Sequence, residues 1–81
     1  MKNTSKLIAD ELRSIRSRLD ITIEDVANKT KINKDTISRY ERNAVSLNID
    51  IIEKLLIFYN IEFDVFFTNI YANTHKTSKE D

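Results

Sequence analysis

The fold is decided by residues 22–43, TIEDVANKTKINKDTISRYERN. One spacing occurs twice here: an apolar residue, then a polar residue able to cap a helix, then an apolar residue four positions later. The two copies are Ile21, Thr22 and Val26, and Ile32, Asn33 and Ile37. Apolar residues on both sides of a polar N-cap form a hydrophobic staple, which marks the start of a helix. The stretch therefore predicts two short helices joined by a tight turn.

The second of these helices has a polar outer face. Helical periodicity directs one set of residues in the two-helix unit inward: Val26, Ala27, Thr30, Ile32, Ile37 and Tyr40. The residues left on the outer face are Lys34, Asp35, Ser38, Arg39 and Arg42. A short helix rich in hydrogen-bonding groups fits the major groove of DNA. The alternative interpretation is an ordinary solvated face of an amphipathic helix.

Composition limits the class of protein. A length of 81 residues allows one domain with one modest core. The chain is 41% hydrophobic and 32% charged, which is typical of a soluble globular protein. It has no apolar run near the roughly 20 residues of a membrane span and no signal-peptide pattern, so we expect a cytoplasmic protein without a membrane partner. Without cysteine, disulfides and thiolate metal sites are excluded.

The chain contains neither glycine nor proline. Left-handed turns must then be made by other residues. We expect Lys31 in the turn between the two helices, and Asn43 and Asn60 after later helices, to take that conformation. Asp20 ends the first helix where glycine is more usual. Gly-rich phosphate-binding loops are excluded.

Charge is distributed unevenly along the chain. The net charge is zero, which is unlike the usual nucleic-acid-binding domain. Residues 1–42, however, carry ten Lys/Arg against seven Asp/Glu, whereas residues 43–81 carry three against six. The positive half contains the proposed reading helix, and its first helix is itself basic, through Arg13, Arg16 and Arg18 among others.

Helical patterns continue on both sides of the central stretch. A first helix, capped by Thr4 or Ser5, is predicted to run to about Leu19, with an inward stripe of Ile8, Leu12, Ile15 and Leu19. Four further helices are predicted at about Ile23–Lys29, Lys34–Arg42, Ile49–Tyr59 and Phe63–Ile70. The polar segment 73–81, NTHKTSKED, is expected to be disordered. The domain is thus predicted to span residues 1–72, with the helix-turn-helix at about 22–42.

Together these stretches resemble the lambda repressor/Cro-like, or XRE-family, helix-turn-helix domains. The resemblance is carried by IRSRLDIT, EDVANKTKIN, DTISRYERN, NIDIIEKLL and IEFDVFF, and covers about Ile8–Phe67. It implies a compact all-α domain of five helices that binds double-stranded DNA. The chain departs from the family pattern at Lys31 and Asn43, where glycine is usual, and at Ile23, where a phosphate-contacting glutamine is common.

The resemblance also implies which residues contact DNA. The base-reading residues would be Lys34, Asp35, Thr36, Ser38 and Arg39. The backbone-contacting residues would be Thr22, Ile23, Asn33, Arg42, Asn43 and Ser46; at Ile23 the contact would come from the free N–H groups of the helix start. Asp35 has an alternative role as a negative charge favoured at a helix N-terminus. Arg16 and Glu41 match an internal ion pair of the family, with a phosphate contact by Arg16 as the alternative.

Aromatic and apolar residues crowd the end of the domain, at about 59–71. A chain this small cannot easily bury all of them. We expect Tyr59 and Phe66 in the core, and a self-complementary homodimer patch formed by Phe63, Phe67, Ile70 and Tyr71. The alternative is that all of them close the core of a single subunit.

No enzyme signature is present. The single histidine, His75, lies in the polar tail, and no nucleophile, metal site, cofactor site or small-molecule site can be read. The sequence therefore favours a homodimeric, sequence-specific transcription regulator acting on a short palindromic operator. Small size and the stretches ERNAVSLNI and DVFF most resemble restriction-modification controller proteins, and small prophage repressors or Cro proteins are close alternatives. An antitoxin or another protein-interaction module is the rival class.

Overall fold

The computed structural model describes the backbone of residues 4–43 and 45–79, and the side chains of residues 4–43 and 45–72. It contains five α-helices: α1 (Thr4–Leu19), α2 (Ile23–Thr30), α3 (Lys34–Glu41), α4 (Ile49–Tyr59) and α5 (Phe63–Lys79). Over these two ranges the chain forms no strand. The expected all-α fold of five helices is confirmed.

The predicted helix starts are confirmed by their caps. Thr22 Oγ1 accepts a hydrogen bond from the backbone N–H of Asp25 at 3.0 Å, and the Asp25 carboxylate accepts from the Thr22 N–H at 3.5 Å. This reciprocal pair is a capping box. Asn33 and Asn48 cap α3 and α4, each accepting at 2.8 Å from the backbone N–H two residues on. Each cap contributes about 1 kcal/mol to helix stability.

The helix ends use left-handed residues other than glycine. Asp20, Lys31, Asn43 and Asn60 have φ values of 57°, 65°, 56° and 61°. The left-handed conformation expected of Lys31, Asn43 and Asn60 is confirmed. It reverses the chain after each helix and lets the following N–H groups reach the last carbonyls, as in the hydrogen bond from Ile61 N to Leu56 O at 3.0 Å.

One core joins all five helices. Its buried residues are Ile8, Leu12, Ile15, Val26, Ile32, Ile37, Tyr40, Ile52, Leu55, Leu56, Tyr59, Phe66 and Ile70. Helix α2 packs on α3 and α4, while α1 packs on α3 and α5. Two predicted inward residues, Ala27 and Thr30, are only half-buried. Leu19, the last residue of the predicted α1 stripe, is 50% exposed because it lies at the helix end beyond the packed surface.

Two predicted boundaries are wrong. Thr4 and Ser5 lie inside α1 and do not cap it. Helix α5 does not end near Ile70 but continues to Lys79. No proline or glycine interrupts that segment, and a helix already started extends readily through polar residues. The remainder of the segment expected to be disordered, residues 80 and 81, lies outside the described residues. Among the described helices, none combines the length and apolar character that a membrane crossing requires.

Candidate nucleic-acid interface

The inner face of α3 is anchored in the core and at the start of α4. Ile37 and Tyr40 are buried in the core, with 1% and 4% of their surface exposed. The Tyr40 hydroxyl also accepts a hydrogen bond at 2.9 Å from the backbone N–H of Asn48, the residue that caps α4. Apolar packing and this hydrogen bond together fix the rotation of α3 about its own axis, so its opposite face is held toward solvent.

A partly buried ion pair ties α3 to α1. Arg16 Nε donates to Glu41 Oε2 at 2.7 Å, and Arg16 Nη2 donates to Glu41 Oε1 at 3.0 Å. Arg16 Nη1 donates to the Ile21 carbonyl at 2.8 Å, at the turn that leads into α2. The pair expected from the family resemblance is present, in the two-point geometry that guanidinium and carboxylate groups favour. The hydrogen bond from Arg16 to Glu41 raises the pKa of Arg16 above its ordinary value.

Tyr59 of α4 lies in the same charged neighbourhood. Burial raises the pKa of Tyr59 to about 12, and the nearby Glu41 carboxylate adds to the increase while Arg16 opposes it. Burial acts in this direction because a phenolate is poorly solvated inside a protein. The neutral hydroxyl is therefore the form that the fold accommodates.

The outer face of α3 brings together most of the residues expected to read bases. Lys34, Asp35 and Arg39 are exposed, while Thr36 and Ser38 are half-buried. Asp35 and Arg39 form an ion pair across one helical turn, with 2.9 Å between Asp35 Oδ2 and Arg39 Nη2. The face thus offers an ammonium, a hydroxyl and a carboxylate-bound guanidinium, groups that hydrogen-bond to base edges.

The residues expected to contact the DNA backbone surround this face. Thr22 and Asn33 are exposed N-caps of α2 and α3, Arg42 is exposed at the end of α3, and Ser46 is exposed in the following loop. Asn43, in the left-handed turn, is half-buried.

Ile23 has a different environment from the others. Its side chain packs against the core. Its backbone N–H is the first of α2 and has no partner within the helix, so it is the only part of the residue suited to an anion.

An open groove beside the start of α2 was not found from the sequence. Its volume is about 960 Å³, and α1, the start of α2 and Lys34 line it. The α1 side contributes Arg13, Ser14, Ser17 and Arg18. The basic character of α1 was visible in the sequence. The position of these residues next to Thr22 was not, because it depends on the packing of α1 against α3.

The C-terminal apolar residues divide between core and surface. Tyr59 and Phe66 are buried, 6% and 0% exposed, as expected. Ile70, expected in an exposed dimer patch, is 8% exposed and belongs to the core, so that assignment is wrong for the single chain. It falls four residues after Phe66, on the same buried side of α5.

Several apolar residues near that end are exposed. Phe67 is 37% exposed and Tyr71 64% exposed, while Phe63 is half-buried and stacks on Phe67 with ring centroids 5.9 Å apart. Two further apolar side chains, which were not expected at the surface from the sequence, are also exposed: Ile57 at 71% and Val65 at 48%. Periodicity alone did not assign Ile57 to the surface, because its helix α4 is apolar on most sides.

Among the side chains that the structure describes, no group of three His, Cys, Asp or Glu residues is placed to hold a metal ion. The side chain of His75 lies outside them.

The geometry agrees with comparisons to known proteins. A family model described as Helix-turn-helix (HTH_3) matches residues 12–66, most of the chain. The chain belongs to this helix-turn-helix family. Its structure is similar to the crystal structure of the wild-type restriction-modification controller protein C.Esp1396I, with a TM-score of 0.80 and 25% identity over 89% of this chain and 92% of that chain. A comparison with curated proteins gives no match. The resemblance inferred from the sequence is confirmed, and the chain is a DNA-binding protein of the XRE-type helix-turn-helix class.

Proposed function

We propose that the chain is a transcription regulator that binds a short palindromic operator as a homodimer, with α3 of each subunit in a major groove. The observation that carries this proposal is the contrast between the two faces of α3. Its inner face is anchored on α1 and α4, while its outer face exposes Lys34, Asp35 and Arg39. Base reading needs hydrogen-bonding groups held on a rigid element, and this arrangement supplies both.

Within this proposal the exposed and half-buried residues have distinct roles. Those on α3 read base edges: Lys34, Asp35, Thr36, Ser38 and Arg39. Those around it hold phosphates: Thr22, the N–H of Ile23, Asn33, Arg42, Asn43 and Ser46. Arginine and lysine favour the O6 and N7 atoms of guanine, so the operator half-site should contain at least one G·C pair. Phosphate contacts set the register of the helix but carry no sequence information.

The homodimer part of the proposal rests on the exposed apolar side chains of α4 and α5. Ile57, Val65, Phe67 and Tyr71 leave an apolar surface on a chain of 81 residues. Surfaces of this kind mark association sites when they are contiguous, and a two-fold interface uses the same patch on both subunits. A dimer would also place two reading helices about 34 Å apart, the spacing of successive major grooves on one side of DNA.

The controller type is the most specific part of the proposal. The similar structure is that of a restriction-modification controller protein, and it matches the described fold over nearly the whole length of both chains. The stretches ERNAVSLNI and DVFF also resemble controller proteins in sequence. We therefore propose a cytoplasmic controller protein, with a small prophage repressor as the alternative within the family.

The central experiment is selection of preferred duplexes from random DNA, followed by affinity measurements across a salt series. The expected result is a palindromic preference and an affinity that falls steeply as salt increases, because phosphate contacts release counterions. Weak binding with no preferred sequence would instead support an interaction module such as an antitoxin. A protein-interaction role would keep the fold but leave the outer face of α3 unused.

A matched pair of arginine variants separates reading from phosphate contact. Arg39→Ala should lower the affinity for the selected operator by about 1–3 kcal/mol and relax the preference at one base pair. Arg42→Ala, at the exposed end of the same helix, should weaken all sequences alike and make the salt dependence shallower. An equal loss on every sequence for Arg39→Ala would exclude its reading role.

Sedimentation tests the dimer. The double variant Phe67→Ser with Tyr71→Ser should be monomeric at tens of micromolar, since it removes apolar area from the proposed interface. Leu19→Ser, a change at the comparably exposed end of α1, should leave the dimer intact. A wild-type chain that sediments as a monomer at that concentration would contradict the dimer.

A further inference from the structure

The ion pair on the outer face of α3 suggests that its two residues have different roles in DNA binding. Asp35 Oδ2 lies 2.9 Å from Arg39 Nη2, although the two side chains remain 63% and 52% exposed. A carboxylate at a DNA-binding surface repels phosphates, so Asp35 lowers general affinity for DNA. Asp35 lies next to Arg39, the arginine proposed to read guanine, and this position suggests a role in specificity.

The position of Asp35 is itself fixed. Its backbone N–H donates to Asn33 Oδ1 at 2.8 Å, in the first turn of α3. Buried Ile37, two residues on, anchors the same part of the helix in the core. The carboxylate therefore projects from a rigid part of the backbone, and Arg39 lies one turn further along the same face.

An arginine side chain has many rotamers, and free rotation would let Arg39 reach several neighbouring base pairs or phosphates. A carboxylate 2.9 Å from one guanidinium nitrogen restricts the direction in which the side chain extends. The guanidinium has five N–H donors, so contact with one carboxylate leaves enough donors for the O6 and N7 atoms of a guanine.

We propose that Asp35 is a positioning residue that holds Arg39 toward one guanine, and that it determines specificity through Arg39 rather than by its own contact with a base. This inference rests on the proposed function and refines it: Asp35, placed there among the base-reading residues, takes part in reading through Arg39. Removing the carboxylate should then broaden the sequence preference without weakening general DNA binding.

The test uses Asp35→Asn on the full chain, with Asp10→Asn as the matched control. Asp10 pairs with Lys6 at 2.9 Å, also across one turn on the exposed side of a helix, so its replacement changes net charge and removes a similar ion pair that belongs to α1 rather than α3. Affinities would be measured for the selected operator and for all substitutions at the base pair that Arg39→Ala identifies.

The expected result has three parts. Asp35→Asn should lose most of the roughly tenfold discrimination that Arg39 provides at its base pair. Its affinity for unselected DNA should stay the same or rise. Asp35→Glu should keep much of the discrimination, because glutamate also pairs with an arginine four residues on. Asp10→Asn should keep all of it.

Other outcomes would overturn the inference. If Asp35→Asn retained full discrimination and only melted at a lower temperature, Asp35 would be a helix-terminus charge. If it lost preference at a second base pair that Arg39→Ala still distinguishes, Asp35 would read a base directly. A wild-type chain with no preferred duplex would overturn the proposed function as well, whereas a preference kept by Asp35→Asn would overturn the positioning role alone.

Discussion

The molecule contains two carboxylate–guanidinium pairs on the two faces of one helix. Glu41 pairs with Arg16 at 2.7 Å on the inner face of α3, and Asp35 pairs with Arg39 at 2.9 Å on its outer face. The side chains of the inner pair are 5% and 20% exposed, whereas those of the outer pair are 63% and 52% exposed. The charged groups are the same and the distances similar, but the inner pair joins two helices through two contacts, whereas the outer pair has one contact within a single helix.

Burial decides what each pair can do. Inside the protein, removal of one partner leaves the other charge uncompensated and poorly solvated. The inner pair therefore matters for the stability of the fold. At the surface, water and salt screen the charges and the pair contributes little to folding. The outer pair is therefore available for binding, while the inner pair holds the helix that presents it.

The largest expected effect is on the inner pair. Arg16→Met should lower the free energy of unfolding by about 3 kcal/mol, because it leaves the Glu41 carboxylate buried and unpaired. Chemical denaturation followed by circular dichroism would measure it. The double variant Arg16→Met with Glu41→Leu should recover most of the loss, since it removes both charges. Unchanged stability with weaker DNA binding in Arg16→Met would instead assign Arg16 to a phosphate.

The next largest effect is a loss of stability at high pH, caused by the buried Tyr59. Burial raises the pKa of Tyr59 to about 12, above the unfolded value near 10. Between these values the unfolded chain loses this proton first, so the folded state binds more protons and stability falls as pH rises from about 10 to about 12. Tyr59→Phe should flatten that part of the stability profile. An identical slope in the variant would show that Tyr59 titrates normally.

A smaller effect concerns the turn that joins the two helices of the motif. Lys31 has a φ of 65°, a conformation that costs a non-glycine residue about 1 kcal/mol. Lys31→Gly should therefore raise the free energy of unfolding by up to about 1 kcal/mol. Lys29→Gly, inside the last turn of α2, should lower it by about the same amount. Destabilisation by both variants would mean that the Lys31 side chain stabilises the turn by more than its strain costs.

The smallest expected effect is the contribution of the outer pair to the free energy of unfolding. Asp35→Asn should change the free energy of unfolding by less than about 0.5 kcal/mol, as should the control Asp10→Asn. Thermal melts at low and high salt would compare them. A loss comparable to that of Arg16→Met would remove the distinction between the two faces of α3.

Much of this arrangement could be predicted from local sequence. The caps Thr22, Asn33 and Asn48 and the left-handed Lys31 and Asn43 were all identified correctly, because each signal lies within a few residues of the structure it specifies. The outer face of α3 was predicted for the same reason, since helical periodicity is a local property. The family resemblance added the pairing of Arg16 with Glu41, which no local pattern contains.

Other features required the packed structure. Ile70 and Phe67 are three residues apart and similarly apolar, yet one is 8% and the other 37% exposed. The groove beside Thr22 and the hydrogen bond from Asn48 to Tyr40 also join elements that are separate in the chain.

By itself, then, the sequence determined where α2, α3 and α4 begin, which residues turn the chain after them and which side of α3 is polar, because capping and periodicity are short-range effects. The tertiary structure decided which carboxylate is buried, which aromatic ring stays exposed and how α3 is held, because each of these depends on how distant helices pack together.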